Sequence, residues 1–244
     1  MRRLFIPGTL EDIIEIKGPD AHHLMHAMRA KAGQEFVVVD GSSHVGRVEL
    51  LSFTSETVTA KLIERLSNNT ESPIDIVLAQ CLPKGDKMEL IVQKAVELGI
   101  TAIRPLKSRN SVVRYDEKKA ADKQNRWQKI VNEAAKQCGR TEIPEVFPII
   151  ELTKWLDGLT LNDDLALIFC YENEANYNLK ACLKDLKARQ VILLIGPEGG
   201  FSLEEAELLL SKGAKSVSLG PRILRAETAA IAAMSIIQYE LGDI

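Results

Sequence analysis

Two stretches near the carboxyl end of the chain carry the residues best suited to chemistry. The first reads GPEGGFS and directly follows the apolar residues 191–195, which are typical of a buried strand. The second reads LGPRILRAETAA and follows another short strand pattern. Glycines let a backbone approach a ligand closely, and Arg222 and Arg225 could stabilise charge that develops in a reaction. Two loops at the carboxyl ends of parallel strands predict a ligand-binding crevice.

Neither loop has the spacing of a nucleotide-binding motif, because G-x-G-x-x-G and G-x-x-x-x-G-K-[ST] are both absent. Glu198 and Glu227 could accept a proton, or they could form ion pairs with the two arginines. No histidine lies beyond residue 44. A general base in this half of the chain must therefore be a carboxylate or solvent, unless His22 or His23 is brought over from elsewhere, such as a second subunit.

The elements that must position these loops alternate between strands and helices from residue 74 onward. Ser202 and Glu205 have the spacing of a capping box and predict a helix start, as do Asp86 and Glu89 further upstream. A long apolar helix is predicted over Ala226–Leu241. The predicted strands cover residues 74–80, 100–106, 165–171, 191–195 and 215–219. This alternation predicts an α/β fold with a mostly parallel sheet covered by helices.

The first 66 residues instead read as several short strands separated by turn residues, which predicts a small β-barrel. A single helix from about Asp20 to Lys31 interrupts them. Residues 67–73, SNNTESP, have the composition of a linker. We therefore predict two domains, residues 1–70 and residues 73–244.

Composition limits the class of protein. Of the 244 residues, 45% are hydrophobic and 27% are charged, as in ordinary soluble globular proteins. No apolar run approaches the roughly 18 residues of a membrane span, and the amino-terminal residues do not resemble a signal peptide. Four cysteines lack paired or zinc-like spacing, which favours reduced thiols. We expect a cytoplasmic protein without a membrane partner.

The net charge of −3 is unevenly distributed along the chain. Residues 73–140 carry 14 basic and 8 acidic side chains, whereas the segments before and after are both acidic. A local basic patch can bind phosphates even in an acidic protein. The strand-end cations Lys84, Lys87, Arg109 and Arg114 are the best candidates, and Arg140 could extend the same surface.

The four histidines all lie between residues 22 and 44. His22 and His26 are one helical turn apart, but no further metal ligand is suggested, so no metal site is predicted. Packing and RNA contact are the two remaining explanations, since imidazoles can stack on bases or donate to phosphates.

The two loops together closely resemble the S-adenosylmethionine site of the SPOUT methyltransferases, in particular their ribosomal RNA uridine-N3 branch. MRRLFIP with HHLMHAMR, CLPKGDKMELIVQKAVELGI and RWQKIVNEAAKQCGR are similar to the same branch, so the resemblance covers essentially the whole chain. It implies a SPOUT fold with a C-terminal trefoil knot, preceded by a PUA-like RNA-binding barrel. It also implies S-adenosyl-L-methionine as cofactor, a homodimer, and small-subunit (16S) ribosomal RNA as substrate, in an assembled or partly assembled subunit.

The resemblance also implies roles for individual residues. Arg225, Arg222 and Glu227 are the expected catalytic residues. The expected cofactor contacts are Ile195, Gly196, Gly199, Gly200, Leu219, Gly220, Ile223, Leu224, Arg225 and Thr228. The loop after Tyr171 is expected to close the third side of the site. The expected RNA contacts are Arg2, Arg3, His22, His23, Arg29, Lys84, Arg109, Arg114 and Arg140.

Two alternatives stay open from the sequence. One is a non-catalytic RNA-binding or ribosome-assembly protein that keeps the fold, which degraded loops would indicate; both loops are intact here. The other is a SPOUT methyltransferase that acts on a different RNA position. An NAD-dependent or nucleotide-dependent enzyme is disfavoured by the missing glycine fingerprint.

Overall fold

The structure of the protein is a computed structural model that describes residues 3–67, 70–184 and 186–244. The chain forms two compact units. Unit 1 consists of Met1–Glu71 together with Ala135–Glu142, and unit 2 consists of Ser72–Ala134 with Ile143–Ile244. Unit 1 therefore takes in a short segment from the middle of the chain that the predicted linker at residues 67–73 does not suggest.

A five-stranded sheet forms the framework of unit 1. Its strands are β1 (Arg3–Phe5), β2 (Ile13–Lys17), β3 (Glu35–Val39), β4 (Val45–Phe53) and β5 (Thr57–Leu66). Their order is β1-β3-β4-β5-β2, with β1 parallel to β3 and the other pairs antiparallel. Side chains alternate between the core and solvent, as in β2, where Ile14 and Ile16 are buried between exposed neighbours. The strands predicted for this part of the chain are confirmed.

The helical insertion of unit 1 is shorter and less regular than predicted. Helix α1 covers Gly18–His22 and continues into a π-helical turn, His23–Ala27, in which the Met28 N–H donates to the His23 carbonyl. Arg29 then adopts a positive φ of 50°, which ends the helical backbone before Lys31. Leu24 is fully buried in the core of unit 1. A π-turn inserts one extra residue per turn, a deviation that hydrophobic spacing does not reveal.

A parallel sheet forms the framework of unit 2, as the alternating pattern predicted. Its strands are β6 (Asp75–Cys81), β7 (Ala102–Lys107), β8 (Glu145–Val146), β9 (Ile150–Glu151), β10 (Leu165–Cys170), β11 (Gln190–Ile195) and β12 (Lys215–Val217). The order is β12-β10-β11-β6-β7-β8, and β9 also pairs with β7. All of these pairs are parallel. Strand β11 lies near the middle, which explains its continuous run of buried apolar residues.

Helices cover this sheet. They are α2 (Lys87–Glu97), α3 (Glu117–Cys138), α4 (Leu152–Asp157), α5 (Leu179–Lys184), α6 (Leu203–Ser211) and α7 (Ala226–Leu241). Helix α7 packs against α2, α5 and β11. The predicted bounds of α7 are confirmed, whereas α4 and α5 were not predicted, because six residues are too few to show a helical period.

The two predicted helix caps have different outcomes. At α6 the capping box is present: the Glu205 N–H donates to the Ser202 hydroxyl, and the Ser202 N–H donates to the Glu205 carboxylate. At α2 the predicted cap is wrong, since Asp86 makes no side-chain capping bond. Its backbone, with φ of −95° and ψ of 10°, is not in the extended conformation that a capping side chain needs. Glu89 instead pairs with Arg126.

No helix in the described part of the chain is long and apolar enough to cross a membrane. Within the same residues the four cysteines form no disulfide. The trefoil knot stays a prediction from the resemblance.

Candidate functional site

Three loops of unit 2 meet at the carboxyl edge of its sheet. The glycine loop (residues 196–202) begins where β11 ends, and the arginine loop (residues 218–225) begins where β12 ends. Strand β10 lies between β11 and β12 in the sheet, so the loop that follows it, which we name the bridging loop (residues 171–178), starts between the other two. Parallel strands place all three loops on the same edge, where such folds bind ligands.

The bridging loop contacts both of its neighbours. At one end the Glu172 carboxylate lies so close to Gly200 that a Cβ built on Gly200 would come within 1.9 Å of Glu172 Oε1. At the other end the Ser218 N–H donates to the Tyr177 carbonyl at 2.9 Å, and the Leu179 N–H donates to the Ser218 carbonyl at 3.0 Å. The glycine loop and the arginine loop are therefore held by one common segment.

The glycines of the first loop make room for protein groups. Gly200 has a positive φ of 62° in addition to its contact with Glu172. A Cβ on Gly199 would lie 3.2 Å from Asn110 Cβ, and one on Gly196 would lie 3.2 Å from the Phe201 ring. Gly220 in the arginine loop differs: its φ is 112°, and nothing lies within 4 Å of the Cβ position. Open space beside the backbone is thus found at Gly220, although the sequence suggested it for the first loop as well.

Asn110 and Glu205 fix the glycine loop from the side of β7. The Asn110 amide Nδ2 donates to the Gly199 carbonyl at 2.9 Å and to the Gly200 carbonyl at 3.3 Å. The buried Glu205 carboxylate accepts from the Arg109 N–H at 2.7 Å while it also caps α6. Asn110 was missed in the sequence, and Glu172 was expected only as part of the loop that closes the third side of the site. The signal for both was their position just after strands, which many inert residues share.

The arginine loop presents cations and apolar groups to solvent. Arg225 is the N-cap residue of α7, with an extended backbone, and its side chain is exposed, as is that of Arg222. Neither guanidinium has an ion-pair partner among the residues that the structure describes. Ile223, between them, is 90% exposed, and Leu224 is half-buried. A large apolar side chain held in solvent beside the open backbone of Gly220 suits the flat face of an adenine ring.

The remaining candidate cofactor residues have varied environments. Ile195 is buried at the end of β11, Leu219 is half-buried, and Thr228 is exposed in the first turn of α7. Ile195 can therefore offer little more than its backbone. The residues present fit S-adenosylmethionine in two respects, namely apolar walls and a backbone that a ligand can reach.

Glu198 and Glu227 pair with Lys87. Lys87 Nζ lies 2.7 Å from Glu198 Oε1 and 3.4 Å from Glu227 Oε2. The Lys84 N–H also donates to both Glu198 oxygens, at 3.1 and 3.2 Å. Burial raises the pKa of Glu198, but the hydrogen bonds from Lys87 and Lys84 outweigh it and hold the pKa below its ordinary value. The ion pair that the sequence allowed between these carboxylates and Arg225 is not the one the structure contains.

The candidate RNA contacts of unit 2 lie in loops at the same edge of the sheet. Lys84 follows β6, and Arg109 and Arg114 follow β7; all three side chains are exposed. Arg109 pairs with Glu204 at 3.0 Å and lines a cleft of about 310 Å³ beside the first turn of α6. Both side chains of this pair are exposed, so a phosphate could replace Glu204 as the partner of Arg109 with little loss of free energy.

The candidate RNA contacts of unit 1 are less uniform. Arg2 lies outside the described residues, and Arg3 is half-buried with its guanidinium next to Gly139. His22 is exposed, His23 is half-buried, and Arg29 is exposed. His22 stacks near His26, with ring centroids 4.4 Å apart.

Arg140 has a different role from the one predicted. It is 3% exposed, and its Nε donates to Glu71 Oε2 at 2.9 Å. A guanidinium buried against a carboxylate is not available to a phosphate, so the structure does not support Arg140 as an RNA contact.

Comparisons with known proteins agree with this geometry. An RNA methyltransferase domain matches residues 70–238, and an RNA methyltransferase PUA domain matches residues 16–63. The ribosomal RNA small subunit methyltransferase E of Bacillus subtilis is 36% identical, and the alignment covers 98% of this chain and 97% of that protein. The enzyme of the same name from Synechocystis is 35% identical over 93% of this chain and 73% of its own length.

A solved structure gives the same assignment. The ribosomal RNA small subunit methyltransferase E of Neisseria gonorrhoeae, bound to S-adenosyl methionine, superimposes with a TM-score of 0.88 at 31% identity. The match covers 100% of this chain and 99% of the other. Since one domain family matches well over half of the chain and full-length relatives share a single name, this protein belongs to the ribosomal RNA small subunit methyltransferase E family, with its SPOUT-type fold.

Proposed function

We propose that this protein transfers a methyl group from S-adenosyl-L-methionine to N3 of a specific uridine in 16S ribosomal RNA. The observation that carries the proposal is the intact pair of loops at the carboxyl edge of β11 and β12, with two exposed arginines that have no ion-pair partner among the described residues. A protein that had lost the reaction would have no need to keep two unpaired guanidinium groups beside an open loop backbone. Family membership and the cofactor-bound relative support the same activity.

The cofactor is held between the glycine loop and the arginine loop. Ile195, Gly196, Gly199 and Gly200 contribute backbone groups on one side. On the other side the backbone of Gly220 and Arg225 is accessible. The apolar walls and the remaining contacts come from Leu219, Ile223, Leu224 and Thr228. When bound, S-adenosylmethionine supplies a methyl group on a positively charged sulfur, which needs no further activation.

The residues of the chain then have two tasks, which are to orient the uracil and to manage one proton. Neutral uracil carries a proton on N3, and negative charge spreads onto the flanking carbonyl oxygens as that proton leaves. The Arg225 guanidinium, with that of Arg222 in the same loop, stabilises this charge, because the Arg225 backbone is fixed at the start of α7 and its side chain has no ion-pair partner among the described residues.

The two nearby carboxylates are not equivalent as proton acceptors. Glu198 accepts three hydrogen bonds and has a lowered pKa, which makes it a weak base. Glu227 lies farther from Lys87, at 3.4 Å against 2.7 Å, and its buried Oε2 makes no hydrogen bond within the described structure. Glu227 is therefore the better candidate to accept the N3 proton.

Both units bind ribosomal RNA. Lys84, Arg109 and Arg114 contact phosphates beside the site, and His22, His23 and Arg29 of the PUA-like unit also contact RNA; Arg2 and Arg3 are further candidates. Base recognition by a protein of this kind depends on unpaired or distorted RNA, so an assembled or partly assembled small subunit is the proposed substrate. Such a substrate places the protein in the cytoplasm.

A homodimer is part of the same proposal. One face of α7 is buried in unit 2, whereas Ala232, Ile236 and Tyr239 form a separate stripe at helical spacing. Ala232 and Ile236 are only half-buried, and Tyr239 is 73% exposed. Equilibrium sedimentation tests this: I236D with Y239E should shift a dimer to a monomer, while L203E, at an exposed leucine of α6, should not. A parent protein that is monomeric at working concentration would contradict the dimer.

The decisive experiment supplies labelled S-adenosylmethionine together with unmodified small subunits or their naked RNA. Nuclease digestion and mass analysis then identify the product. Label in 3-methyluridine establishes the reaction, and the preferred substrate shows whether assembly comes first. Label in another nucleoside would keep the methyltransferase and contradict the base, whereas cofactor binding without transfer to either substrate would contradict small-subunit RNA. A protein that failed to bind the cofactor would favour a non-catalytic RNA-binding role.

A further inference from the structure

Lys87 occupies a position between the catalytic loops that its sequence does not reveal. In the sequence it is one of several lysines after β6 and resembles a phosphate contact. In the structure its ammonium group lies between Glu198, in the middle of the glycine loop, and Glu227, in the first turn of α7. Its side chain is only 26% exposed, and those of the two glutamates are 25% and 18% exposed.

We propose that Lys87 is a positioning residue, which joins the glycine loop to the start of α7 and so holds the two halves of the cofactor site at their working separation. The inference rests on the proposed function and adds a residue that acts through others. Lys87 itself need not touch the cofactor or the RNA.

The contacts between the loops support this role. The bridging loop contacts the glycine loop and the arginine loop on one side. On the other side the loop after β6 holds Glu198 through the Lys84 N–H, and Lys87 adds the link to α7. Glu227 is two residues after Arg225, so this contact lies next to the guanidinium that we propose stabilises the reaction.

The charges of the three groups support the same role. Two carboxylates that both approach one nitrogen repel each other, and a positive charge on that nitrogen offsets the repulsion. The hydrogen bond that Lys87 donates to Glu198, and the nearby charge of Glu227, raise the pKa of Lys87 despite its partial burial, so the ammonium form persists at any working pH. Lys87 also satisfies carboxylates that would otherwise be free to pair with Arg222 or Arg225, and in that way it leaves both arginines available to substrate.

A test in the absence of cofactor separates this inference from the function itself. Hydrogen exchange of backbone amides is measured for the parent protein, K87M, K87R and the matched control K94M. Lys94 is on the same helix and pairs with Glu97 at 2.8 Å, so K94M removes one lysine and one ion pair away from the loops. We expect K87M to speed exchange at least about tenfold in residues 196–202 and 224–230, while K87R and K94M stay close to the parent.

The second readout is the affinity for S-adenosylmethionine, measured by calorimetry. K87M should weaken binding about tenfold or more, whereas K87R should keep most of the parent affinity. Both variants should have melting temperatures like that of K94M. The double variant K87M/E198Q should lose less affinity for S-adenosylmethionine than the two single variants together. E198Q removes one of the two carboxylate charges, so Glu198 and Glu227 no longer repel each other when Lys87 is lost. Exchange rates in K87M equal to those in K94M would overturn the inference, even if the parent protein binds the cofactor and methylates RNA. Faster exchange in K87M, combined with a parent protein that does not methylate RNA, would leave Lys87 as the link and overturn the function alone.

Discussion

At the scale of single residues, the site divides its charged groups between two purposes. Lys87 forms ion pairs with Glu198 and Glu227 between the loops, and Arg222 and Arg225 face solvent without an ion-pair partner among the described residues. We therefore assign Lys87 and Glu198 to structure and propose that the two arginines serve the reaction.

Removing the Arg225 side chain should damage catalysis more than binding. We expect R225A to lower kcat about 10²-fold to 10³-fold, as found when a donor to a developing oxyanion is lost. Affinity for S-adenosylmethionine should change by less than about threefold, because we propose that Arg225 contacts the cofactor through its backbone. Single-turnover methyl transfer and calorimetry measure the two effects separately.

The matched control for this variant is R189A. Arg189 is 82% exposed at the opposite end of β11 and pairs with Asp164. The R189A variant should leave both kcat and the affinity for S-adenosylmethionine unchanged. Near-normal turnover in R225A, or a loss no larger than that in E227Q, would contradict the proposed role of Arg225.

Gly200 should tolerate no side chain, for two reasons that can be separated. G200A adds a Cβ to a residue with a φ of 62° and places it within 1.9 Å of Glu172. G220A meets a positive φ but open space, so it measures the backbone cost alone, about 1 kcal/mol or somewhat more. We expect G200A to unfold at a lower temperature than G220A and to bind the cofactor more weakly.

The double variant G200A/E172A should unfold at about the same temperature as G220A, because the contact with Glu172 is then removed. Thermal unfolding of the parent, G200A, G220A and G200A/E172A tests this. A double variant no more stable than G200A would show that the contact with Glu172 is not what excludes a side chain at Gly200.

At the scale of elements, α7 is held to its neighbours by polar as well as apolar contacts. Gln238 is 1% exposed. Its Nε2 donates to the Leu98 carbonyl at 2.8 Å, and its Oε1 accepts from the Ser72 hydroxyl at 3.0 Å. Gly99 and Gly242 both lie against this amide. A buried amide satisfied in this way fixes where α7 lies on α2.

Replacing Gln238 by leucine should therefore destabilise the protein although leucine is apolar and of similar size. The Leu98 carbonyl would lose its partner in the core, at a cost of about 1 to 3 kcal/mol. Urea unfolding of Q238L measures this cost. S235A removes a hydroxyl that bonds to Ile231 of its own helix and should cost far less. Equal stabilities of Q238L and S235A would contradict the role of the amide.

The elements with a long or repeated pattern could be predicted from the sequence. The five strands of unit 1, the alternation in unit 2, the α6 capping box and α7 all follow from spacing and turn chemistry. The short elements β8, β9, α4 and α5 could not, since two to six residues show no period. Within the site, the loops and their arginines were identifiable. The partners Asn110, Glu172 and Lys87 were not, because they reach the loops from residues that lie far away in sequence.

At the scale of the whole molecule, the chain is divided differently from the way its linker suggests. Glu71 accepts hydrogen bonds from Arg140, from the Thr141 N–H at 2.7 Å, from the Thr141 hydroxyl and from the Glu142 N–H. All of these residues belong to unit 1. A local pattern marks residues 67–73 as a boundary, but it cannot show that residues 135–142 return to the first unit.

The Glu71 carboxylate should make stability depend on acid. Burial raises the pKa of Glu71. Arg140 and the two backbone N–H groups lower it by more than burial raises it, so the folded-state pKa lies below the ordinary value of 4.5. A carboxyl group of this kind stabilises the fold fully above its unfolded pKa, and the contribution is lost as pH falls through the folded pKa. Unfolding free energy should therefore fall as pH drops below about 4.5.

E71Q should reduce that acid dependence and lower stability at neutral pH by about 3 to 5 kcal/mol, because the buried Arg140 guanidinium then loses the Glu71 carboxylate. Urea unfolding from pH 3 to pH 7 provides the measurement. The control E64Q removes the exposed partner of Arg47 and should change neither quantity appreciably. A pH profile of E71Q that parallels the parent would show that Glu71 is not the group responsible.

The return of residues 135–142 to unit 1 also affects how the nascent chain folds. The first 71 residues leave the ribosome well before the segment that completes their unit. At about 5 to 20 residues per second, that wait lasts roughly 3 to 14 s, during which Glu71 lacks its hydrogen bonds from Arg140, Thr141 and Glu142. Co-translational folding of the amino-terminal unit must then pause until much of the larger unit has been synthesised, and a fragment that stops at the linker would not reach the native state of that unit.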